Sequence, residues 1–206
     1  TRNASMTASL PAFSDRLIDW ATRNGRHNLP WQQARSAYRV WVSEIMLQQT
    51  QVGTVIGYFE RFMTRFPSIQ LLASASEDEV LHLWSGLGYY SRARNLRKAA
   101  QVIVQQHAGG FPTDIQAAIA LPGIGPSTAG AILSMALGQS HAILDGNVKR
   151  VLSRHQAVEG WPGQSTVTRT LWGHARAFTP NDRAGEYTQA IMDLGATVCT
   201  RRNPSC

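Results

Sequence analysis

Apolar residues recur every three or four positions along most of this chain, which is the periodicity of an amphipathic helix. No window alternates apolar and polar residues between turn signals, as the strands of a hairpin would. The connections between the periodic segments are short, so neighbouring helices are expected to pack around shared cores. The pattern therefore predicts an all-α fold. Helices are predicted over residues 37–49, 51–65, 90–107, 127–137 and 187–198.

Residues 121–125, LPGIG, form a glycine-rich turn between two helical patterns. We expect Gly123 and Gly125 to supply the positive φ and the close approach that a tight turn between helices needs. Such a turn leaves backbone amides free at the start of the next helix, and these amides can bind a phosphate. This is the helix-hairpin-helix pattern, and an ordinary helical hairpin with a glycine cap is the alternative.

The charge of the chain favours a polyanionic partner. Its 206 residues include 20 basic and 13 acidic side chains, which give a formal net charge of +7. All the basic residues except Lys98 and Lys149 are arginines, which suit phosphate and base recognition, although an arginine-rich genome gives the same skew. No secretory signal and no apolar run long enough to cross a bilayer is visible. We therefore expect a cytoplasmic, nucleoid-associated protein with no membrane partner.

Two acidic residues, Glu44 and Asp145, are candidates for acid–base chemistry. Glu44 lies beside the apolar face of a predicted helix, with Val40 and Leu47 on its neighbouring turns. A carboxyl group held there has its pKa raised and can stay protonated at neutral pH. Asp145 precedes a helical pattern, where helix amides and Lys149 are expected to keep it ionised. An acid and an anion together suit cleavage of a glycosidic bond.

Each of these two residues also has a structural interpretation. Glu44 is equally compatible with an ion-paired or snorkelling helix residue, and Asp145 with a plain helix cap. Helical periodicity alone does not bring the two carboxylates together.

Seven motifs follow one another between residues 13 and 206: LPW, SEIMLQQTQV, YFERFMTRFP, GLGYYSRARNL, LPGIGPSTAGAI, ILDGNVKRV and MDLGATVCTR. This ordered set resembles the helix-hairpin-helix DNA glycosylases, and most closely the bacterial adenine DNA glycosylases of the MutY type. The resemblance implies a monomeric enzyme of base excision repair that binds double-stranded DNA. It would remove adenine paired with 8-oxoguanine or guanine and leave the lesion to other enzymes.

The resemblance also implies roles for individual residues. Glu44 would protonate the flipped adenine at N7, Asp145 would stabilise the oxocarbenium ion, and Asn147 would orient groups beside it. Gln49 and Tyr89 would enter the duplex. The pocket for the base would be lined by Trp31, Leu47, Arg26 and Gln189. The DNA contacts would be made by Gln49, Tyr89, Gly123, Gly125, Ser127 and Lys149. For the apolar and aromatic members, core packing is the alternative.

Ser127 distinguishes two reaction types within this superfamily. Endonuclease III-like relatives place a lysine there, whose amine attacks C1′ and leads to strand cleavage. This chain has Ser127, and neither of its lysines lies in the hairpin. We therefore expect a monofunctional glycosylase. The alternatives are a thymine mismatch glycosylase, an endonuclease III-like enzyme, or a helix-hairpin-helix DNA-binding module without catalysis.

Cys199 and Cys206 match part of the ligand set of the [4Fe-4S] cluster in related proteins. Those relatives supply two more cysteines shortly downstream, and four thiolates are the usual complement. The resemblance therefore implies a cluster in the full-length protein, and the alternative is one buried thiol and one free thiol. A cation that bridges the hairpin carbonyls to a DNA phosphate is a further hypothesis.

The resemblance divides the chain into two helical modules with a DNA-binding cleft between them. A six-helix barrel module that includes the hairpin would cover residues 37–142. An iron-sulfur-type module would combine residues 7–36 with residues 143–206 and would stop before the end of the cluster loop, and the two carboxylates would face each other across the cleft. Residues 1–6 are expected to be a remnant of cloning. The C-terminal domain that reads 8-oxoguanine in family members is expected to be absent.

Overall fold

A computed structural model describes residues 12–206. The remnant predicted for residues 1–6 lies outside the described residues. Between residues 12 and 206 the backbone forms eleven α-helices and the 3₁₀ turn Pro30–Gln32, and no strand. The predicted all-α fold is therefore confirmed. The helices are α1 (Phe13–Asn24), α2 (Ala37–Leu47), α3 (Val52–Arg65), α4 (Ile69–Ser74), α5 (Glu77–Trp84), α6 (Ser91–Gln106), α7 (Ile115–Ile119), α8 (Pro126–Leu137), α9 (Gly146–His155), α10 (Ser165–Phe178) and α11 (Ala184–Thr197).

The helix predicted over 37–49 ends two residues early. Helix α2 stops at Leu47 because Gln48 leaves helical geometry, with ψ 111°, and Gln49 has a positive φ of 58°. A positive φ is uncommon outside glycine, and strained positions of this kind concentrate at functional sites. The other four predicted helices differ from the observed ones by only a few residues at their ends.

Helix α2 is the central helix of the core. It packs against α3, α6 and α8. Its Trp41, Val42 and Met46 side chains are fully buried, and removing such apolar surface from water is the main force that drives folding. Glu44 lies on the same helix, so the packing of α2 fixes the position of this carboxyl group.

Helix α11 packs against α1, α8 and α9. It therefore connects the first helix of the fold to helices from the middle of the sequence. Gly185 permits the close approach of α11 to α8, because a Cβ atom there would lie 2.6 Å from the carbonyl oxygen of Ser134. None of the helices between residues 12 and 206 combines the length and the apolar character needed to cross a membrane. The division into modules at 37–142 and at 7–36 with 143–206 stays a prediction.

Candidate active site

One cavity collects most of the predicted site residues. It has a volume of about 1150 Å³ and is lined by the 3₁₀ turn, by α2, α8, α9 and α11, and by the loops beside them. The predicted residues in its lining are Arg26, Trp31, Glu44, Leu47, Gln49, Ser127, Asp145, Asn147 and Gln189. Tyr89, Gly123, Gly125, Lys149 and the two cysteines lie outside this lining. Residues that are far apart in the sequence therefore meet at one concave site.

The Glu44 side chain is half-buried in the wall of this cavity. Burial, and then the nearby charge of Asp145, raise the pKa of Glu44 from 4.5 to about 8. The carboxyl group is therefore mostly protonated at neutral pH, as its position beside an apolar face predicted. Glu44 takes part in none of the four ion pairs found among residues 12–206, so its interpretation as an ion-paired residue is wrong.

Asp145 is both the N-cap of α9 and part of the cavity wall. Its Oδ1 accepts a hydrogen bond of 2.7 Å from the amide of Val148, as expected for a capping aspartate. Burial raises the pKa of Asp145 above its ordinary value, and this effect outweighs the lowering by the amides of Val148 and Asn147 and by Arg150. Two predictions are therefore wrong: the cation beside Asp145 is Arg150 and not Lys149, and the net shift of the Asp145 pKa opposes ionisation instead of favouring it.

Asn147 is fixed by two neighbours. Its Oδ1 accepts a hydrogen bond of 2.8 Å from Nη2 of Arg150, whose Nε donates to the carbonyl oxygen of Cys199 at 2.6 Å. The backbone of Gly195 packs against it so closely that a Cβ atom there would lie 2.7 Å from Cβ of Asn147. Arg150 takes the amide oxygen, and the NH₂ group of Asn147 has no hydrogen-bond acceptor among residues 12–206, so it can donate to a ligand.

A buried carboxylate, Asp193, holds two side chains of the cavity wall. Its Oδ1 accepts hydrogen bonds from Arg26, at 2.8 Å from Nε and 2.6 Å from Nη2, and from Nε2 of Gln189 at 3.1 Å. Its Oδ2 accepts from the backbone amide of Arg26 at 3.0 Å. A carboxylate can only accept, so Gln189 must direct its amide oxygen away from Asp193. Asp193 is 1% exposed, and the sequence analysis did not identify it.

Trp31 and Leu47 line the cavity and also belong to the core. Trp31 is buried and stacks edge-on against Phe59, with 5.5 Å between ring centroids. Leu47 is partly buried and packs against the same core. For these two residues the core interpretation and the pocket interpretation are compatible.

Gln49 and Tyr89 are exposed residues in strained turns. Gln49 has φ 58° and Tyr89 has φ 49°, and the Tyr89 side chain is 60% exposed. The alternative that Tyr89 is a core residue is therefore wrong. Exposed residues with unusual backbone geometry are candidates for ligand contact, and Gln49 also lines the cavity.

The glycine-rich turn joins α7 to α8 as predicted, but its two glycines differ. Gly123 has φ 78°, and a Cβ atom there would lie 2.8 Å from Cβ of Asn95 on α6. Gly125 has φ −94°, and a Cβ atom there would meet nothing, so the predicted need for positive φ at Gly125 is wrong. Gly125 instead serves as the N-cap of α8, where glycine leaves the first amides of the helix accessible.

Ser127 connects this turn to the segment that precedes Asp145. Its Oγ accepts a hydrogen bond of 3.0 Å from the backbone amide of Leu144, the residue before Asp145. The first turn of α8 therefore helps to position the N-cap of α9. This contact was not predicted from the sequence.

The sulfur atoms of Cys199 and Cys206 lie near one arginine. Nη1 of Arg154 is 3.2 Å from Sγ of Cys199 and 3.8 Å from Sγ of Cys206. Cys199 is buried and Cys206 is exposed, and neither forms a disulfide. No group of three or more His, Cys, Asp or Glu side chains that could hold a metal occurs among residues 12–206. Two thiols are half of the four ligands that an iron-sulfur cluster takes, so the described residues do not fit a complete cluster site.

Curated relatives resemble this chain over nearly all of its length. The protein named adenine DNA glycosylase from Buchnera aphidicola subsp. Schizaphis graminum is 47% identical over 194 residues, which are 94% of this chain and 56% of that protein. The human protein of the same name is 46% identical over 97% of this chain and 38% of its own length. The chain thus spans about half the length, or less, of these curated relatives.

Solved structures share the fold. A thermostable thymine-DNA glycosylase matches with a TM-score of 0.84 at 25% identity, covering 94% of this chain and 89% of that one. A trapped endonuclease III–DNA covalent intermediate matches with a TM-score of 0.78 at 18% identity, covering 94% and 87%. Residues 42–176 match the family model described as HhH-GPD superfamily base excision DNA repair protein. Because this match covers more than half of the chain, the protein belongs to the HhH-GPD superfamily of base excision DNA repair proteins.

Proposed function

We propose that this chain is the catalytic region of a monofunctional adenine DNA glycosylase, which hydrolyses the N-glycosidic bond of adenine paired with 8-oxoguanine or guanine. The observation that carries the proposal is the pairing of Glu44, whose pKa is raised to about 8, with Asp145 in one cavity. The 46–47% identity to proteins named adenine DNA glycosylase supports adenine as the base. Its substrate would place the protein at the nucleoid, in the cytoplasm.

In the proposed reaction Glu44 donates its proton to N7 of the flipped adenine. The bond between C1′ and N9 then breaks, and its electron pair leaves with the neutral base. Asp145 stabilises the positive charge that develops on the sugar, as a carboxylate does in glycoside hydrolysis. A water molecule adds to C1′ and its proton returns to the Glu44 carboxylate, which leaves an abasic site and restores the acid. Asn147, whose NH₂ group is free to donate, orients groups beside Asp145.

The remaining predicted residues divide between base and backbone recognition. In this proposal Trp31, Leu47, Arg26 and Gln189 enclose the adenine after it has left the stack. Gln49 and Tyr89 enter the duplex. The phosphate backbone is held by the residues of the turn and the helix starts around it, Gly123, Gly125, Ser127 and Lys149.

Monofunctional chemistry is supported by the cavity lining. Serine occupies position 127, and neither Lys98 nor Lys149 lines the cavity, so no lysine amine among residues 12–206 is in place to attack C1′. A thymine mismatch glycosylase is the second candidate, and its support is the structural match to the thymine-DNA glycosylase. Identity to the adenine glycosylases is nearly twice as high, which favours adenine.

We also propose that Cys199 and Cys206 are two of four ligands to a [4Fe-4S] cluster in the full-length protein, and that the two helical modules have the predicted boundaries. The proximity of both sulfur atoms to one guanidinium supports the first point. The cluster would stabilise the C-terminal part of the fold, and no step of the proposed reaction uses it.

The test is single-turnover base release from duplexes that hold adenine opposite 8-oxoguanine, adenine opposite guanine, or a thymine mismatch. Products are separated before and after alkali treatment. Strand breaks that need alkali, from the adenine duplexes only, would support the proposal. Breaks without alkali would indicate a lyase, and binding without base loss would indicate a DNA-binding module.

The Asp145→Asn variant sharpens this test, and the chain offers a matched control. Asp114 is the N-cap of α7, where its Oδ1 accepts from the amide of Ala117 at 2.9 Å, away from the cavity. We expect Asp145→Asn to lose base release and keep DNA binding, whereas Asp114→Asn keeps both. If the two variants behave alike, Asp145 is only a helix cap.

A further inference from the structure

Arg92, on α6, is a buried arginine without a carboxylate partner among residues 12–206. Its guanidinium instead donates to oxygen atoms of two separate turns. From the end of α2 and the turn after it, the acceptors are the carbonyl oxygens of Ile45, Met46 and Gln48 and Oγ1 of Thr50. From the turn between α5 and α6, the acceptors are the carbonyl oxygens of Leu87 and Gly88, at 3.3 and 3.2 Å.

These two turns hold Gln49 and Tyr89, two exposed residues with positive φ, of which Gln49 lines the cavity. Arg92 bonds the carbonyl oxygen of Gln48 and that of Gly88, which belong to the peptide groups directly before Gln49 and Tyr89. Because these two peptide planes are fixed, the backbone of Gln49 and the backbone of Tyr89 each begin in a fixed orientation. A strained backbone conformation persists only where surrounding contacts hold it in place. The Arg92 guanidinium supplies such contacts to both turns.

Arg92 also fixes the end of the helix that carries Glu44. The last carbonyl groups of α2 have no partner within the helix, and a cation at this end is favourable to the helix dipole. The aromatic ring of Tyr89 lies 5.5 Å from Cζ of Arg92, within the range of a cation–π contact. The packing of α2 against α3 and α8 still fixes Glu44 without Arg92, whereas the turns that carry Gln49 and Tyr89 share this one buried side chain.

We propose that Arg92 is a positioning residue for base flipping: it braces the Gln49 turn against the Tyr89 turn, so that both side chains meet the duplex at a fixed separation. This inference rests on the proposed function. It requires arginine, because the two Nη atoms of the planar guanidinium are held a fixed distance apart, so that Nη1 reaches the Gln49 turn while Nη2 reaches both turns. The ammonium group of a lysine presents three donors from a single point and cannot span the two turns.

The test compares Arg92→Lys and Arg92→Met with Arg97→Lys as the matched control. Arg97 lies on the same helix and donates a single hydrogen bond, from Nε to the carbonyl oxygen of Ala75. Each variant is assayed for single-turnover adenine release from two duplexes. In one, adenine faces 8-oxoguanine and must be unpaired. In the other, adenine faces an abasic site and leaves the stack at little cost. Urea unfolding of each variant is measured in parallel.

We expect Arg92→Lys to slow release of the paired adenine by on the order of 10²-fold, the scale of a misplaced catalytic arrangement, while release of the unpaired adenine changes little. Arg97→Lys should leave both rates unchanged. Equal slowing on both duplexes, or no slowing on either, would overturn the inference. Failure of both Arg92 variants to fold would overturn it too, because Arg92 would then have a purely structural role. If the parent protein releases adenine from neither duplex, it is the proposed function that fails.

Discussion

Replacement of Glu44 by glutamine should remove catalysis and stabilise the folded protein at alkaline pH. Glutamine has nearly the same shape but no proton to give, so adenine release should fall by roughly 10²- to 10⁴-fold. The gain in stability follows from the pKa of the Glu44 carboxyl group, which burial and then the charge of Asp145 raise from 4.5 to about 8. Ionising Glu44 in the folded protein costs free energy, so Glu44 lowers the stability of the fold at any pH where the same carboxyl group is ionised in the unfolded chain.

The direction of this effect follows from proton binding. Between pH 4.5 and about pH 8, Glu44 is protonated in the folded protein and ionised in the unfolded protein. The folded state therefore binds the extra proton, and its stability falls as the pH rises through this window. At about 1.4 kcal/mol per pH unit, the loss reaches roughly 5 kcal/mol near pH 8. This is an upper limit, because the open cavity lets water screen part of the charge.

The assay is urea unfolding of the parent and Glu44→Gln at about pH 5 and pH 8, followed by circular dichroism. The variant should be more stable by a few kcal/mol at the higher pH and by much less at the lower pH. Glu60→Gln is the control, because Glu60 is exposed on α3 and away from the cavity. A difference between Glu44→Gln and the parent that is the same at both pH values would refute the reasoning, since Glu44 would then be ionised in the fold.

Three further substitutions test the geometry of the cavity. Asp193→Asn removes the negative charge that binds the guanidinium of Arg26 and should lower the free energy of unfolding by about 3 kcal/mol. An unchanged midpoint in urea unfolding would contradict the buried ion pair. Gly195→Ala drives a methyl group against Asn147 and should cost about 1–3 kcal/mol and slow adenine release. Gly173→Ala, with open space around it, is the control and should do neither. Ser127→Ala removes the acceptor of the Leu144 backbone amide and should lower the free energy of unfolding by about 1 kcal/mol. An unfolding midpoint equal to that of the parent would contradict this.

The parts of the site that could be predicted from the sequence are those set by short-range pattern. Glu44 stood beside an apolar helical face, and burial at such a position is the larger of the two causes that raise its pKa, the other being the charge of Asp145. Asp145 stood directly before a helical pattern, and its N-cap hydrogen bond confirms that placement. That the two share one cavity depends on the packing of α2 against α8 and of α9 against α11. Periodicity carries no information about that packing.

The residues that the sequence analysis missed have distant partners. Asp193 binds Arg26, 167 positions away, and Arg92 binds oxygen atoms more than 40 positions away. The neighbouring sequence does not identify such residues, because a buried polar side chain is defined by its hydrogen-bond partners, and here those partners are distant in the sequence. The misassignment of Lys149 has a related cause: successive residues of a helix point in directions about 100° apart, so that Arg150 lies at the cavity and Lys149 does not.

The bond between Arg26 and Asp193 has a consequence for protein synthesis. One wall of the cavity joins Arg26, in the segment after α1, to Asp193 on α11, which is synthesised 167 residues later. Contacts of such long sequence separation form late, after the loop between them has been closed. The helices from α2 to α8 can collapse on the nascent chain while the pocket is still open on one side. The pocket is therefore completed only after α11 has been synthesised, and under the proposed function a chain that is interrupted before α11 should be inert towards DNA bases even where its earlier helices have folded.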